Sequence, residues 1–231
     1  ITALVFIFFT NIQPARANNK TLVALKTINS RPELAVTAIK QAININSPHI
    51  DDIRSDLGRT TTQLFNALYQ KMGKEKSEKI LDLVYNDLKK NIDLHPLDIR
   101  NHMTLSQFAR IKALINKDSK YMAESERYII DALKLSPKRQ QIIYTLAGMK
   151  IEFKDYSTAI KLLEQAISDN PKINESYWRL AYAYRAMNKI PEAKNVITKA
   201  RKSGIKFTKR EEEIIQGLMV VTKTENLTDN K

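Results

Sequence analysis

Three histidines, His49, His95 and His102, are the natural candidates for proton transfer or metal ligation in this chain, yet none falls into a spacing such as His-Glu-x-x-His. His95 stands directly before Pro96, where an exposed turn histidine is ordinary. The 231 residues contain no cysteine, which removes thiolate zinc, disulfide and cysteine-nucleophile chemistry. No Gly-x-Ser-x-Gly, P-loop or Gly-x-Gly-x-x-Gly motif occurs. Carboxylates gather only as Asp51-Asp52 and Glu211-Glu212-Glu213, where helices are expected to begin and where acids complement the helix dipole. The expectation is a chain without a catalytic site, metal or cofactor.

Side chains suited to binding are easier to find. Trp178, Tyr182 and Arg185 recur at helical spacing, and Gln141, Tyr144 and Ile151 do so one stretch earlier. Trp, Tyr and Arg are the types that dominate binding hot spots, so these six are the candidate partner-binding residues. The competing reading is that Trp178 and Tyr182 only pack between helices.

Lys and Arg number 38 against 25 Asp and Glu, a net charge of +13, which favours acidic partners or an anionic surface. The lysines are scattered, as solvated helix faces would make them. A cluster at Lys138, Arg139, Lys199, Arg201, Lys202, Lys206, Lys209 and Arg210 raises nucleic-acid binding as an option, but Glu211–Glu213 interrupts it.

The elements that must carry these residues are helical. Only 5 glycines and 7 prolines occur, while Lys, Leu, Ile, Ala and Glu suit helices. Pro137 and Pro171 lie 34 residues apart and Ile205 takes the next equivalent place, the period of a tetratricopeptide repeat. This frame gives repeats at 140–173 and 174–207. Small and large residues agree with it: Leu146 and Ala147 with Ala159, Leu163 and Ala166, then Leu180, Ala181 and Tyr184 with Ala193, Ile197 and Ala200. Alanine at a crossing lets antiparallel helices approach, and larger residues fill the grooves. Turns fall at Lys154-Asp155-Tyr156 and Asn188-Lys189-Ile190. In such a stack the first helix of each hairpin lines the concave face, where the six candidates would lie.

Upstream, 105–132 fits a looser unit with a long turn at 116–120. A helical pair at 53–69 and 77–92 is split at Lys71-Met72-Gly73-Lys74, and 34–45 reads as a helix whose partner is 20–28. A capping helix is expected at 209–221, followed by a fraying tail.

The start is different in kind. Ile1 to Phe9 is almost wholly apolar, too short to span a bilayer by itself but suited to the end of a longer membrane helix. A chain opening on Ile1 is expected to be a fragment or a processed product. Ala15-Arg16-Ala17 equally fits a signal-peptide cleavage site, which would give a free periplasmic or secreted adaptor cut after Ala17. Arg16, Lys20 and Lys26, with no acid before Glu33, would favour the cytoplasmic side of a membrane.

Residues 99–207 resemble tetratricopeptide repeats. The whole chain also resembles the C-terminal tail of bacterial O-antigen ligase/polymerase-type membrane proteins, in the order of Leu4–Phe9, Asn11-Ile12-Gln13-Pro14, Ala24-Leu25, 47–54, 97–100 and 135–141. His49 and Ile50 depart from that pattern, standing where a glycine-containing turn is common. The resemblance implies a glycan-transferring parent whose catalytic residues lie outside this chain, so none is carried over. The combined expectation is an all-α, antiparallel helix-pair solenoid with a truncated N-terminal hydrophobic segment. Its parts are a membrane or signal segment at 1–14, irregular helical pairs at 15–98, repeats with a cap at 99–221 and a disordered tail at 222–231. It would serve as a bacterial membrane-tethered module binding a protein or peptide on its concave face.

Overall fold

The computed structural model describes residues 2–219; the expected tail at 222–231 and the end of the expected cap lie outside the described residues. Every regular element among them is helical. The chain divides into two compact units, Ile1–Leu135 and Ser136–Lys231. The boundary expected at 98/99 falls at a helix–helix turn inside the first.

In the first unit, α1 (Thr2–Ile7), a π-helical turn (Phe8–Ile12) and α2 (Gln13–Thr27) follow one another without leaving helical backbone geometry at Ile7 or Ile12. No residue of α1 or the π turn is buried. No described helix is long and apolar enough to cross a membrane. The candidate cleavage site lies inside α2, with Ala17 wholly buried.

The second helix of this pair, α3 (Pro32–Asn44), packs on α2 through Ala17 and Ala24 on one side and Ala35, Ile39 and Ala42 on the other, all fully buried. Small side chains at the crossing permit this close approach. A long helical segment, α4 (Ile50–Leu94), is two helices broken at Gly73, whose φ of 74° and ψ of 177° lie outside helical geometry. The break falls within the expected 71–74 turn. The two halves are antiparallel: Arg54 Nε donates to Asp87 Oδ2 at 3.0 Å, and Asn91 Nδ2 donates to the Asp51 carbonyl at 2.7 Å. Gly58 sits where Leu88 of the returning half and Phe108 of the next helix converge.

That next helix, α5 (Ile99–Asn116), starts on Asp98, whose side chain accepts from the Arg100 amide. It pairs with α6 (Ser119–Leu135) across Lys117 and Asp118 alone; the long turn expected at 116–120 is not there, and the extra residues lengthen the two helices to 18 and 17 residues. Lys117 takes a left-handed conformation there, with φ 52°. At the crossing, the buried Ser106 and Ser125 hydroxyls each donate to the other's carbonyl.

The second unit contains the matched repeats. Its hairpins are α7 (Gln140–Glu152) with α8 (Tyr156–Asp169), and α9 (Asn174–Ala186) with α10 (Ile190–Lys202), followed by α11 (Lys209–Met219). Ala147, Ala159, Leu163, Ala166, Leu180, Ala181, Ala193, Ile197 and Ala200 are buried, as the 34-residue frame requires. Lys154 and Asn188, at equivalent places in the two hairpin turns, both have positive φ, 60° and 59°.

Candidate functional site

The first helices of the successive hairpins, α7 and α9, pack side by side, and α11 packs on α9 in the position the first helix of a third hairpin would take. Between them lies a groove of about 330 Å³. Four of the six binding candidates line it: Tyr144 and Ile151 from α7, Trp178 and Tyr182 from α9. Leu163 of α8 forms part of its floor, and Ile214 and Leu218 of α11 add a further apolar wall. Gly148 leaves a hollow on α7, since a Cβ placed there would touch nothing within 4 Å.

The remaining two candidates are elsewhere. Gln141 is exposed one turn before Tyr144 and does not line the groove. Arg185 lies past the groove's end, where its guanidinium donates to Asn188 Oδ1 at 3.4 Å. Arg179 is the charged residue that the sequence reading missed. Its guanidinium lies 4.8 Å from the Tyr144 ring centroid and 4.6 Å from that of Trp178. Two bonds to Glu175 Oε1, at 2.9 and 2.7 Å, hold it there. The i,i+4 spacing of Glu175 and Arg179 was the available signal.

The Arg179 charge in this wall is compensated by Glu175. Tyr144 is buried, its hydroxyl 2.6 Å from Ser176 Oγ, which in turn donates to Gln140 Oε1. Burial pushes the Tyr144 phenol above its ordinary range, so it stays neutral. The Trp178 indole N–H is buried and without a hydrogen-bond partner among the described residues. Tyr182, 47% exposed, stands at the rim. An apolar, preformed cavity with one stacked guanidinium is suited to grip a bulky apolar side chain.

His95, His102 and the acidic clusters serve local structure. His95 Nε2 is 2.8 Å from Asp51 Oδ2, and His102 Nε2 donates to the Pro96 carbonyl at 2.9 Å. Asp51 and Asp52 occupy the first turn of α4. Glu211 closes a reciprocal cap on α11, with the Thr208 amide donating to Glu211 Oε2 at 2.7 Å and the Glu211 amide to Thr208 Oγ1. The same carboxylate accepts from Asn174 Nδ2 at 2.9 Å, tying the start of α9 to that of α11. A larger cleft in the first unit, about 510 Å³, is lined by Asp51, Asp56, Arg59, His95, Asp98 and Arg100. Several of its charges pair among themselves, Asp56 with Arg59 at 3.0 Å and Asp98 with Arg100 at 2.9 Å. Within the basic cluster, Arg201 is tied to Glu212 and its guanidinium lies 6.0 Å from the Phe207 ring centroid.

Residues 150–204 match the tetratricopeptide repeat family. No curated protein matches the chain in sequence. Among solved structures, a thermophilic tetratricopeptide protein of Thermus thermophilus superposes with a TM-score of 0.58 at 17% identity, covering 89% of this chain and 100% of that one. A MamA protein gives 0.56 at 16% identity, covering 90% and 97%. MamA of MSR-1 gives 0.52 at 16%, covering 83% and 97%. At these identities the likeness is one of fold: the chain has an all-helical, tetratricopeptide-like architecture.

Proposed function

We propose that this chain is a protein-interaction module that captures a peptide segment through the groove between α7, α9 and α11. The observation that carries this reading is the groove itself: about 330 Å³ of preformed, largely apolar space, walled by Tyr144, Trp178 and Tyr182 and opened by the missing side chain at Gly148. Its single charge is neutralised by Glu175, so the occupant is a Leu-, Met- or Phe-like side chain on a partner chain rather than a free anion.

Trp178 is the only tryptophan in the chain, so its fluorescence reports the groove directly. Peptides selected from a random library should share a bulky apolar anchor and shift the Trp178 emission on titration. Gly148→Leu, which fills the hollow, should weaken them at least 10-fold, and Arg185→Ala, outside the groove, should leave them unchanged. Peptides with no common anchor, or binding indifferent to Gly148→Leu, would sink the reading.

The same proposal includes attachment to a membrane by the N-terminal segment. What supports it is the exposure of Leu4, Phe6 and Phe9, at 72, 68 and 48%, in a stretch no part of the described chain covers. The finer resemblance to the tail of O-antigen ligase-type proteins is carried by its sequence motifs alone. Release after Ala17 is the less favoured alternative, because it would divide α2 at a buried contact.

A further inference from the structure

We propose that the cleft between α2 and α3 is a headgroup site, in which Arg16, Lys20 and Lys40 receive the phosphates of an anionic bilayer. This rests on the membrane reading above and adds a lipid class and a site to it. Arg16 and Lys20 stand one turn apart on α2 and so share a face. Lys40 approaches from α3, and Thr37, Gln41 and Asn44, with Val36 and Ile45, complete a mixed polar and apolar cleft of about 530 Å³. No carboxylate lines it. None of the three cations has an ion-pair partner among the described residues, and the nearest acid in sequence, Glu33, is taken by Lys76 at 2.6 Å. Before Glu33 the chain has no acidic residue at all.

Position along the helix argues for a bilayer as the occupant. Leu4, Val5, Phe6 and Ile7 are consecutive, so their exposed side chains point to every side of α1. A helix apolar all round is not covered by one groove of a protein; it needs an apolar medium around it. Residues 2–12, the last five of them in the π turn, rise at most about 16 Å at the α-helical 1.5 Å per residue, within the depth of one leaflet of a ~30 Å hydrocarbon core. The next charged side chains are Arg16 and then Lys20. With the apolar stretch in one leaflet, these two stand at the level of the phosphates, and Lys40 is brought to the same level from α3. A negatively charged leaflet attracts such juxtamembrane cations.

Co-sedimentation of the full chain with phosphatidylcholine vesicles, and with mixed phosphatidylcholine/phosphatidylglycerol vesicles, tests this. The expected result is binding to both, much stronger to the anionic mixture. The variant Arg16→Gln/Lys20→Gln/Lys40→Gln should lose about 100-fold of the affinity for the anionic mixture and none of that for phosphatidylcholine. Arg16 and Lys40 are exposed and Lys20 is half-buried, none of the three in the buried core, so helical circular dichroism should be unchanged. A control with equal charge loss, Lys172→Gln/Lys194→Gln/Lys202→Gln, should keep the preference. Equal binding to both vesicles, unmoved by the cleft variant, would overturn the headgroup site and leave the membrane reading standing. Failure to bind either vesicle would overturn both. Equal losses in cleft variant and control would replace the site by net charge. Cleft-dependent binding of soluble glycerol phosphate, or of RNA, without vesicle binding would reject a lipid as the occupant.

Discussion

Asp98 illustrates how single residues set the ends of these helices. Burial alone would raise its carboxyl, but bonds from the Arg100 side chain and amide outweigh that and hold it below the ordinary carboxylate range. A carboxyl depressed in the folded state stabilises fully at higher pH and loses that contribution as pH falls through the folded value. Asp98→Asn keeps a capping acceptor but not the charge. Its urea midpoint should therefore lie below that of the parent near neutral pH and converge with it in acid. Parallel curves over the whole pH range would contradict the assignment. At this scale the sequence was partly legible. Tyr144, Ile151, Trp178 and Tyr182 line one groove, as aromatic and aliphatic residues at helical spacing on one face can. Gln141 and Arg185 share that spacing, but each sits a turn beyond the groove's ends, and spacing does not say where a groove stops. Arg179 was missed because its role depends on two rings, one of them 35 positions away at Tyr144.

At the level of elements, the 34-residue period carried most of the information. It located alanines at the crossings, and those alanines are buried because helix pairs cannot otherwise approach. The break at Gly73 falls within the turn expected at Lys71-Met72-Gly73-Lys74, whereas the polar run 116–120 misleads: Asn116 still ends one helix and Ser119 already begins the next. The fourth side of the groove was not, because Ile214 and Leu218 are read as a helix face that could cover many surfaces. Close approach also fixes Gly58. A Cβ there would stand 2.8 Å from Leu88 Cδ2 and 3.3 Å from Thr104 Cγ2, against side chains packed with the buried Phe108. Overpacking costs about 1–3 kcal/mol, and the gain in helix propensity from glycine to alanine returns up to about 1 kcal/mol. Gly58→Ala should lower the stability of the first unit by about 1 kcal/mol in chemical denaturation, and Gly58→Val by more. A stabilised Gly58→Ala would show that the halves of α4 do not need this contact.

For the whole molecule, composition bounded the class but not the partition. Each unit contains a buried cluster, one built around Leu57, Leu81, Tyr85 and Phe108, the other around Ala181, Ala193, Ile197 and Ile215. Nothing in the sequence between Leu135 and Gln140 differs in kind from the other hairpin junctions, so the division at Ser136 was invisible beforehand. Repeat units depend on their neighbours within a stack, and a compact unit with its own core folds by itself. A fragment covering 136–231 should accordingly be helical by circular dichroism and unfold cooperatively, with Trp178 emission shifting to the red on denaturation. A fragment whose tryptophan is already water-exposed in buffer would refute this.

The bond from Asn174 to Glu211 has an implication for how a ligand gets in. Among its described residues only Ile215 of α11 is buried, so this helix is held by one apolar contact patch, the Glu211 carboxylate shared with Asn174 of α9 and the Arg201–Glu212 pair to α10, yet it supplies a wall of the groove. An element so lightly fastened opens locally before the rest of its unit does. Amide hydrogens of α11 should exchange with deuterium faster than those of α7 and α9, and Asn174→Ala should speed them further. Any peptide seated against Leu218 would then slow that exchange at a distance from its own contacts, which makes the last helix a latch whose tightness sets residence time.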